Sequence, residues 1–174
     1  MRIIALDIAT STGVAIGNSG DAPVCRSEDL GKGQSEDVRL SRALALTDQL
    51  VRLYEPDLIA VEAAIGGREA SQYLVGLVAC VRACATNRGV PVETYHLASI
   101  RKHFLGKALG VRDFPGMSKA KAKMAIKQKV MDRCRLLGWE VPDHDAADAA
   151  ALWDYACAKH GAQTAPSGKL FHAG

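Results

Sequence analysis

Five acidic residues stand in otherwise apolar segments at three places in the chain. Asp7 interrupts the apolar run RIIALDIA, and Glu62 lies inside a second apolar run, DLIAVEAA. The segment VPDHDAADAAALWDYA reads as the start of an otherwise apolar helix whose first turns carry Asp143, Asp145 and Asp148. Because Asp145 and Asp148 are three residues apart, they share one helix face. Acids suit a strand end or a first helical turn, but a buried unpaired carboxylate such as Asp7 is costly.

A shared divalent cation accounts for all of these carboxylates together, whereas a separate explanation for each one accounts for them less well. If the first and fourth strands are neighbours, Asp7 and Glu62 lie side by side, and carboxylates crowded together repel unless cations separate them. Oxygen ligands suit Mg²⁺ or Mn²⁺, which also bind phosphate oxygens. We therefore expect the helix start to present metal ligands to the top of a sheet.

The basic residues are concentrated in one segment. Between Arg101 and Arg135 there are eleven Lys or Arg residues against two acids, out of 22 basic residues in the whole chain. A solvated helix face is the plain interpretation of scattered lysines, but this imbalance is too one-sided for a surface of alternating ion pairs. The segment therefore favours a polyanionic partner.

The elements that must position these residues follow from hydrophobic period and turn signals. Three consecutive strands come first, followed by alternating helices and strands and then by further helices. The predicted strands cover residues 2–9, 14–18, 22–30, 57–64 and 90–96, and the predicted helices cover 35–55, 68–88, 98–105, 118–137 and 143–160. This order predicts an α/β fold with one mixed five-stranded sheet flanked by helices.

Length and composition predict one domain over residues 1–160 and a flexible C-terminal tail over 161–174. No apolar run reaches 18 residues, so we expect no membrane span, and the N-terminus does not read as a signal peptide. The five cysteines form no C-x-x-C pair, which favours a reducing compartment, the cytoplasm, and no structural zinc.

Four segments together resemble RuvC-type Holliday junction resolvases, especially short phage-encoded relatives. They are ALDIATSTGVAI, DLIAVEAA, VPVETYHLASIRKHFLG and DAADAAALWDYA, in the same order as in that family. The resemblance implies a ribonuclease H-like fold and a crossover junction endodeoxyribonuclease acting in DNA recombination and repair. It places the catalytic and metal-binding carboxylates on Asp7, Glu62, Asp145 and Asp148, with two Mg²⁺ ions that Mn²⁺ can replace. The implied partner is branched DNA, chiefly the four-way junction, whose two symmetric strands favour a two-fold homodimer. Cutting of three-way junctions and forks as well is expected from a departure at Ile65.

The resemblance also indicates DNA-binding residues in the basic segment. The family's first assisting lysine falls near Arg101 or Lys102, and the second falls on one of three lysines, with no basis for choosing among them. The predicted DNA-binding set is Arg101, Lys102, Lys107, Lys119, Lys121 and Lys123.

Two departures from the family pattern affect substrate reading. Ile8 and Ala9 replace the Pro-Gly that usually follows the first Asp. Ile65, followed by Gly66 and Gly67, stands where the family often has an aromatic residue that stacks on bases at the junction centre. Base–aromatic stacking contributes about 1–3 kcal/mol per base, so we expect relaxed sequence preference at the cut site.

For the dimer, the predicted helix after Gly67 offers a broad apolar face that either forms the interface or packs on its own sheet. This face contains Tyr73, Leu74, Leu77, Val78 and Val81.

Two other classes of protein remain open. ALDIATSTG also resembles the first phosphate loop of actin-like and sugar-kinase proteins, although no Gly-rich second phosphate loop follows. A non-catalytic junction-binding protein would use the basic segment and leave the acids without a role. Nucleotide binding would support the first alternative, and metal-dependent nicking would exclude the second.

Overall fold

The computed structural model describes residues 1–64 and 71–161. Five strands form one sheet in the order β3-β2-β1-β4-β5. Strand β1 pairs antiparallel with β2 and parallel with β4, while β2–β3 is antiparallel and β4–β5 is parallel. The strands are β1 Arg2–Asp7, β2 Ser11–Asn18, β3 Val24–Asp29, β4 Leu58–Glu62 and β5 Val92–Tyr95. The predicted mixed five-stranded sheet is confirmed.

Five helices cover the two faces of the sheet, and a short 3-10 turn, Val111–Asp113, lies between the third and fourth. The helices are α1 Glu36–Tyr54, α2 Gln72–Asn87, α3 Leu97–Leu105, α4 Lys119–Leu136 and α5 His144–Gly161. Ser35, Ser71 and Ser118 cap α1, α2 and α4, each side chain accepting a backbone N–H three residues later. No helix in the described ranges is long and apolar enough to cross a membrane.

Alternate side chains of the central strands enter two separate cores, as the period of two requires. Ile3 and Ala5 face α3, α4 and α5, whereas Ile4 and Leu6 face α1 and α2. The apolar face predicted on the second helix belongs largely to this second core. Leu77 and Val81 are fully buried there, and Tyr73, Leu74 and Val78 pack against it. The alternative in which this face packs on its own sheet therefore holds.

Small residues let α5 lie close against the sheet. A Cβ added to Gly13 would lie 1.9 Å from the backbone oxygen of Asp145, and one added to Gly17 would lie 3.0 Å from the Trp153 ring. Ala146, Ala149 and four further alanines of α5 are buried. In the β1–β2 register Gly13 also lies opposite Asp7. The absence of a side chain at Gly13 therefore allows the start of α5 to lie against the end of β1.

The start of α5 differs from the prediction at one position. Asp143 lies before the helix and not in its first turn. Its Oδ1 accepts the backbone N–H groups of Asp145 and Ala146 at 3.0 and 2.9 Å, and the Ser27 hydroxyl at 2.6 Å. Asp143 therefore satisfies free N–H groups at the start of α5 and ties it to β3.

Candidate active site

Four carboxylates meet at the carboxyl ends of the central strands. Asp7 ends β1 and Glu62 ends β4, and the register Leu6–Val61 places the two acids side by side. Asp145 and Asp148 reach the same place from the first two turns of α5. A cavity of about 130 Å³ lies beside Asp7 and Glu62 on the α2 side of the sheet. The structure thus brings all four predicted acids into one site.

Burial and mutual repulsion raise the pKa values of three of these acids. Burial, followed by the charges of Glu62 and Asp148, raises the pKa of Asp7 well above its ordinary value. Burial and the charge of Asp148 raise the pKa of Glu62 to about 7, although Arg101 and Lys127 oppose this. Burial also raises the pKa of Asp148 against the same two cations. The site therefore has more buried negative charge than its own basic residues neutralise.

Asp145 behaves differently because it has direct donors. Burial alone would raise its pKa, but hydrogen bonds from Lys127 and Ser11 outweigh burial and lower it. Lys127 Nζ lies 2.9 Å from Asp145 Oδ1 and 3.7 Å from Asp148 Oδ2. A lysine thus supplies positive charge at the place where the sequence predicts metal ions.

Lys127 is a site residue that the sequence prediction missed. The residues considered for the second assisting lysine, Lys119, Lys121 and Lys123, are exposed. Buried Ile126 and Val130 flank Lys127 on α4 and turn that side of the helix toward α5. The nearby apolar stripe was a usable signal, but it did not distinguish Lys127 from Lys123 one turn earlier.

Arg101 also belongs to the site more than to the surface. Its side chain is half-buried, Nη1 donates to the Leu109 carbonyl at 3.3 Å, and its charge acts on Glu62 and Asp148. Its Nε is buried and has no hydrogen-bond partner in the part of the chain that the structure describes. Arg101 is thus a cation at the edge of the carboxylate cluster with a donor to spare.

The remaining predicted DNA-binding residues lie on the surface formed by α3, α4 and the loop between them. Lys102 is exposed, and Lys107 is ion-paired with Asp113. An open groove of about 680 Å³ between α3 and α4 has Lys107, Lys129 and Arg133 in its lining. A basic surface therefore continues from the carboxylates along one side of the molecule.

The chemistry of the donor set fits divalent metal ions. All four candidate ligands are carboxylates, the ligands that Mg²⁺ and Mn²⁺ prefer. The raised pKa values of Asp7, Glu62 and Asp148 reflect charge that cations would stabilise. Among residues 1–64 and 71–161, however, no three His, Cys, Asp or Glu side chains form a group that is already arranged to hold a metal ion. The prediction for Ile65, Gly66 and Gly67 lies outside the described residues.

The strand order and the covering helices define the ribonuclease H-like fold, as predicted. Solved structures confirm the predicted resemblance in fold to RuvC-type resolvases. Thermus thermophilus RuvC superimposes with a TM-score of 0.65 at 19% identity, covering 92% of this chain and 97% of that one. T. thermophilus RuvC in complex with a Holliday junction substrate gives 0.68 at 18% identity, covering 94% and 96%.

The yeast mitochondrial Holliday junction resolvase gives a TM-score of 0.56 at 14% identity, covering 91% of this chain and 80% of that one. No protein-family model matches the sequence, and no curated protein matches it. At these identities the likeness establishes the fold, and the site must carry the argument for function.

Proposed function

We propose that the chain is a structure-selective DNA endonuclease of the Holliday junction resolvase type. It hydrolyses phosphodiester bonds at branched DNA with two divalent metal ions. The observation that carries the proposal is the convergence of Asp7, Glu62, Asp145 and Asp148, with charge left unneutralised, at the end of a RuvC-like sheet.

Asp7, Glu62, Asp145 and Asp148 would hold the two ions, with Mg²⁺ as the ordinary metal and Mn²⁺ as a substitute. Bound there, the ions would activate a water molecule and stabilise the leaving oxygen of the cut strand. Binding them requires all four acids to be ionised, so the residues that stabilise the ionised forms matter to the reaction.

Lys127 and Arg101 are the chain's own cations at this point. Lys127 holds Asp145 ionised by a direct hydrogen bond. With the carboxylate charge offset by bound cations, the Lys127 ammonium group would be free to donate to a phosphate oxygen. Arg101 has an unused Nε donor beside Glu62 within the described structure and can hold a neighbouring phosphate oxygen.

The exposed basic residues would bind the arms of the branched DNA through phosphate contacts. Replacing all three lysines at the start of α4 tests this: Lys119→Ala, Lys121→Ala and Lys123→Ala together. The logarithm of the binding constant falls linearly with the logarithm of the salt concentration, and each lost phosphate contact on duplex DNA should reduce the steepness of that line (the log–log salt slope) by about 0.9. The control is Arg52→Ala on α1, which removes an exposed charge far from the site. An unchanged slope in the triple variant would assign these lysines to a solvated face.

A four-way junction presents two symmetric strands, so a two-fold homodimer with two sites suits the substrate. Among the apolar residues that α1 and α2 leave exposed, we assign Leu44 and Val75 to this interface. Analytical ultracentrifugation of the unaltered protein and of Val75→Asp tests this assignment. A monomer in both cases would exclude it.

The five free cysteines agree with a cytoplasmic location.

Digestion of labelled DNA tests the function as a whole. Four-way junctions, three-way junctions, flaps and linear duplex are incubated with Mg²⁺, Mn²⁺ or EDTA. We expect metal-dependent nicking of branched DNA, relaxed sequence preference, and little cutting of linear duplex. Binding without cleavage in either metal would instead identify a junction-binding protein.

A further inference from the structure

A second cationic cavity lies next to the carboxylates, on the sheet face opposite Lys127. Its volume is about 610 Å³, and it is lined by Thr10, Ser11, Asp29, Lys32, Gly33 and Arg39. It is bordered by the β1–β2 turn, the loop after β3 and the first turn of α1. None of these elements belongs to the basic segment between Arg101 and Arg135.

Arg39 is held in place at this cavity with donors to spare. Its guanidinium carbon lies 4.5 Å from the centroid of the Tyr73 ring, and Nη1 donates to Thr10 Oγ1 at 3.3 Å. Nε is buried and meets no acceptor in residues 1–64 and 71–161. A buried donor without an acceptor is costly, and a guanidinium fork matches phosphate oxygens. A phosphate group would satisfy this donor.

The lining of the cavity has two cationic side chains, Lys32 and Arg39, and one carboxylate. Lys32 is exposed and forms no ion pair within the described ranges, and Arg42 packs against Gly31. The one carboxylate in the lining, Asp29, accepts the backbone N–H groups of Gly31 and Lys32 at 2.8 and 2.9 Å. The loop N–H groups, with smaller contributions from the charges of Arg42 and Lys32, stabilise the ionised form of Asp29 and lower its pKa. With three cations near one stabilised carboxylate, positive charge remains to attract an anion.

Ser11 connects this cavity to the carboxylates. It lines the cavity, and its side chain hydrogen-bonds Asp145. Thr10, the partner of Arg39, is three residues after Asp7 along the chain. An anion bound at Arg39 and a phosphate at the carboxylates would thus lie on the two sides of a single turn.

We propose that the Arg39–Lys32 cavity binds a phosphodiester group of the same DNA strand, adjacent to the one that is cut. This inference rests on the proposed function. The strand then passes across the carboxyl ends of the sheet, from the α3–α4 side to the α1 side, and cations on both faces fix its register at the carboxylates.

The test measures junction binding in EDTA, so that no cutting occurs. Lys32→Gln and Arg39→Gln should each lower the log–log salt slope by about 0.7–0.9, the value for one phosphate contact. Arg52→Gln is the matched control, because Arg52 lies on the same helix roughly 20 Å away at 1.5 Å per residue. Its slope should equal that of the unaltered protein.

Neutral methylphosphonate linkages, placed one at a time around the cut site, then locate the contact. One position should weaken binding by the unaltered protein about tenfold and have a much smaller effect on Lys32→Gln. A smaller effect in the variant shows that Lys32 contacts the phosphate at that position directly. If Lys32 acted only through long-range electrostatics, the neutral linkage would weaken DNA binding by a similar factor at every position.

The outcomes separate this inference from the proposed function. If Arg39→Gln only lowers the melting temperature and both variants keep the original slope, Arg39 merely supports Tyr73 and the subsite is wrong. Metal-dependent cleavage by the unaltered protein would still stand in that case. If the unaltered protein neither binds nor cuts junction DNA, both proposals are wrong.

Discussion

Glu62 carries a charge that the metal-free protein accommodates badly, and removing it should stabilise the fold. Its pKa is raised from an ordinary 4.5 to about 7 by burial and by Asp148. The folded state therefore holds this proton more tightly than the unfolded state does. The free energy of unfolding must then fall as the pH rises from about 4.5 to about 7, and stay lower above it.

The size of the effect follows from the two pKa values. Each pH unit between them corresponds to 1.36 kcal/mol, so the ionised Glu62 costs at most about 3 kcal/mol at pH 8. Against an ordinary domain stability of about 5–15 kcal/mol this is a large fraction. Glu62→Gln should recover about 1–3 kcal/mol at pH 8 and almost nothing at pH 4.5.

Urea unfolding in EDTA at the two pH values measures this directly. With a slope of about 2 kcal/mol per molar, the midpoint of Glu62→Gln should rise by about 1 M at pH 8. Exposed Glu140→Gln is the control and should stay within about 0.5 kcal/mol. Added Mg²⁺ should stabilise the unaltered protein at pH 8 more than it stabilises the variant. Equal stability of Glu62→Gln and the unaltered protein at pH 8 would refute a buried, uncompensated charge here.

Three further predictions concern the same site. Asp7→Asn should abolish cleavage while junction binding is kept or strengthened, and full nuclease activity in this variant would remove Asp7 from the metal site. Gly13→Ala should destabilise the protein by about 2 kcal/mol or more and abolish cleavage, because the new Cβ would lie 1.9 Å from the backbone oxygen of Asp145. Thermal melting measures the loss of stability, and Gly110→Ala, where a Cβ would have nothing within 4 Å, is the control. Lys127→Met should raise the pKa of Asp145, measured by carbon-13 NMR, and slow cleavage about 100-fold, and an unmoved pKa would contradict its role as counter-ion.

The sheet and its acids were predictable because their signals are local. Buried strands have to be apolar, so a carboxylate inside such a run, as at Asp7, is conspicuous without any structure. The two acids of α5 follow from helical period alone. These positions needed only the assumption that the first and fourth strands are neighbours.

The cations were less predictable because their positions depend on packing between distant elements. Whether Lys123 or Lys127 reaches α5 is decided by how α4 lies along that helix, which no local pattern encodes. Arg39 is separated from Thr10 by 29 residues and reaches it only because α1 packs under the turn. Asp143 reads as another acid of the cluster, and only its bonds to backbone N–H groups identify it as a cap.

The position of α5 has a consequence for synthesis of the chain. Asp7 and Asp145 are more than 130 residues apart along the chain, and α5 is the last of the described helices. A chain grows from its N-terminus at about 5–20 residues per second, so Asp7 emerges from the ribosome several seconds before Asp145. During that interval the face of β1 and β2 that α5 covers in the folded protein is open at Gly13, and Asp7 has no partner from α5. Under the proposed function, a nascent chain would therefore be unable to cut nucleic acid near the ribosome until α5 has docked.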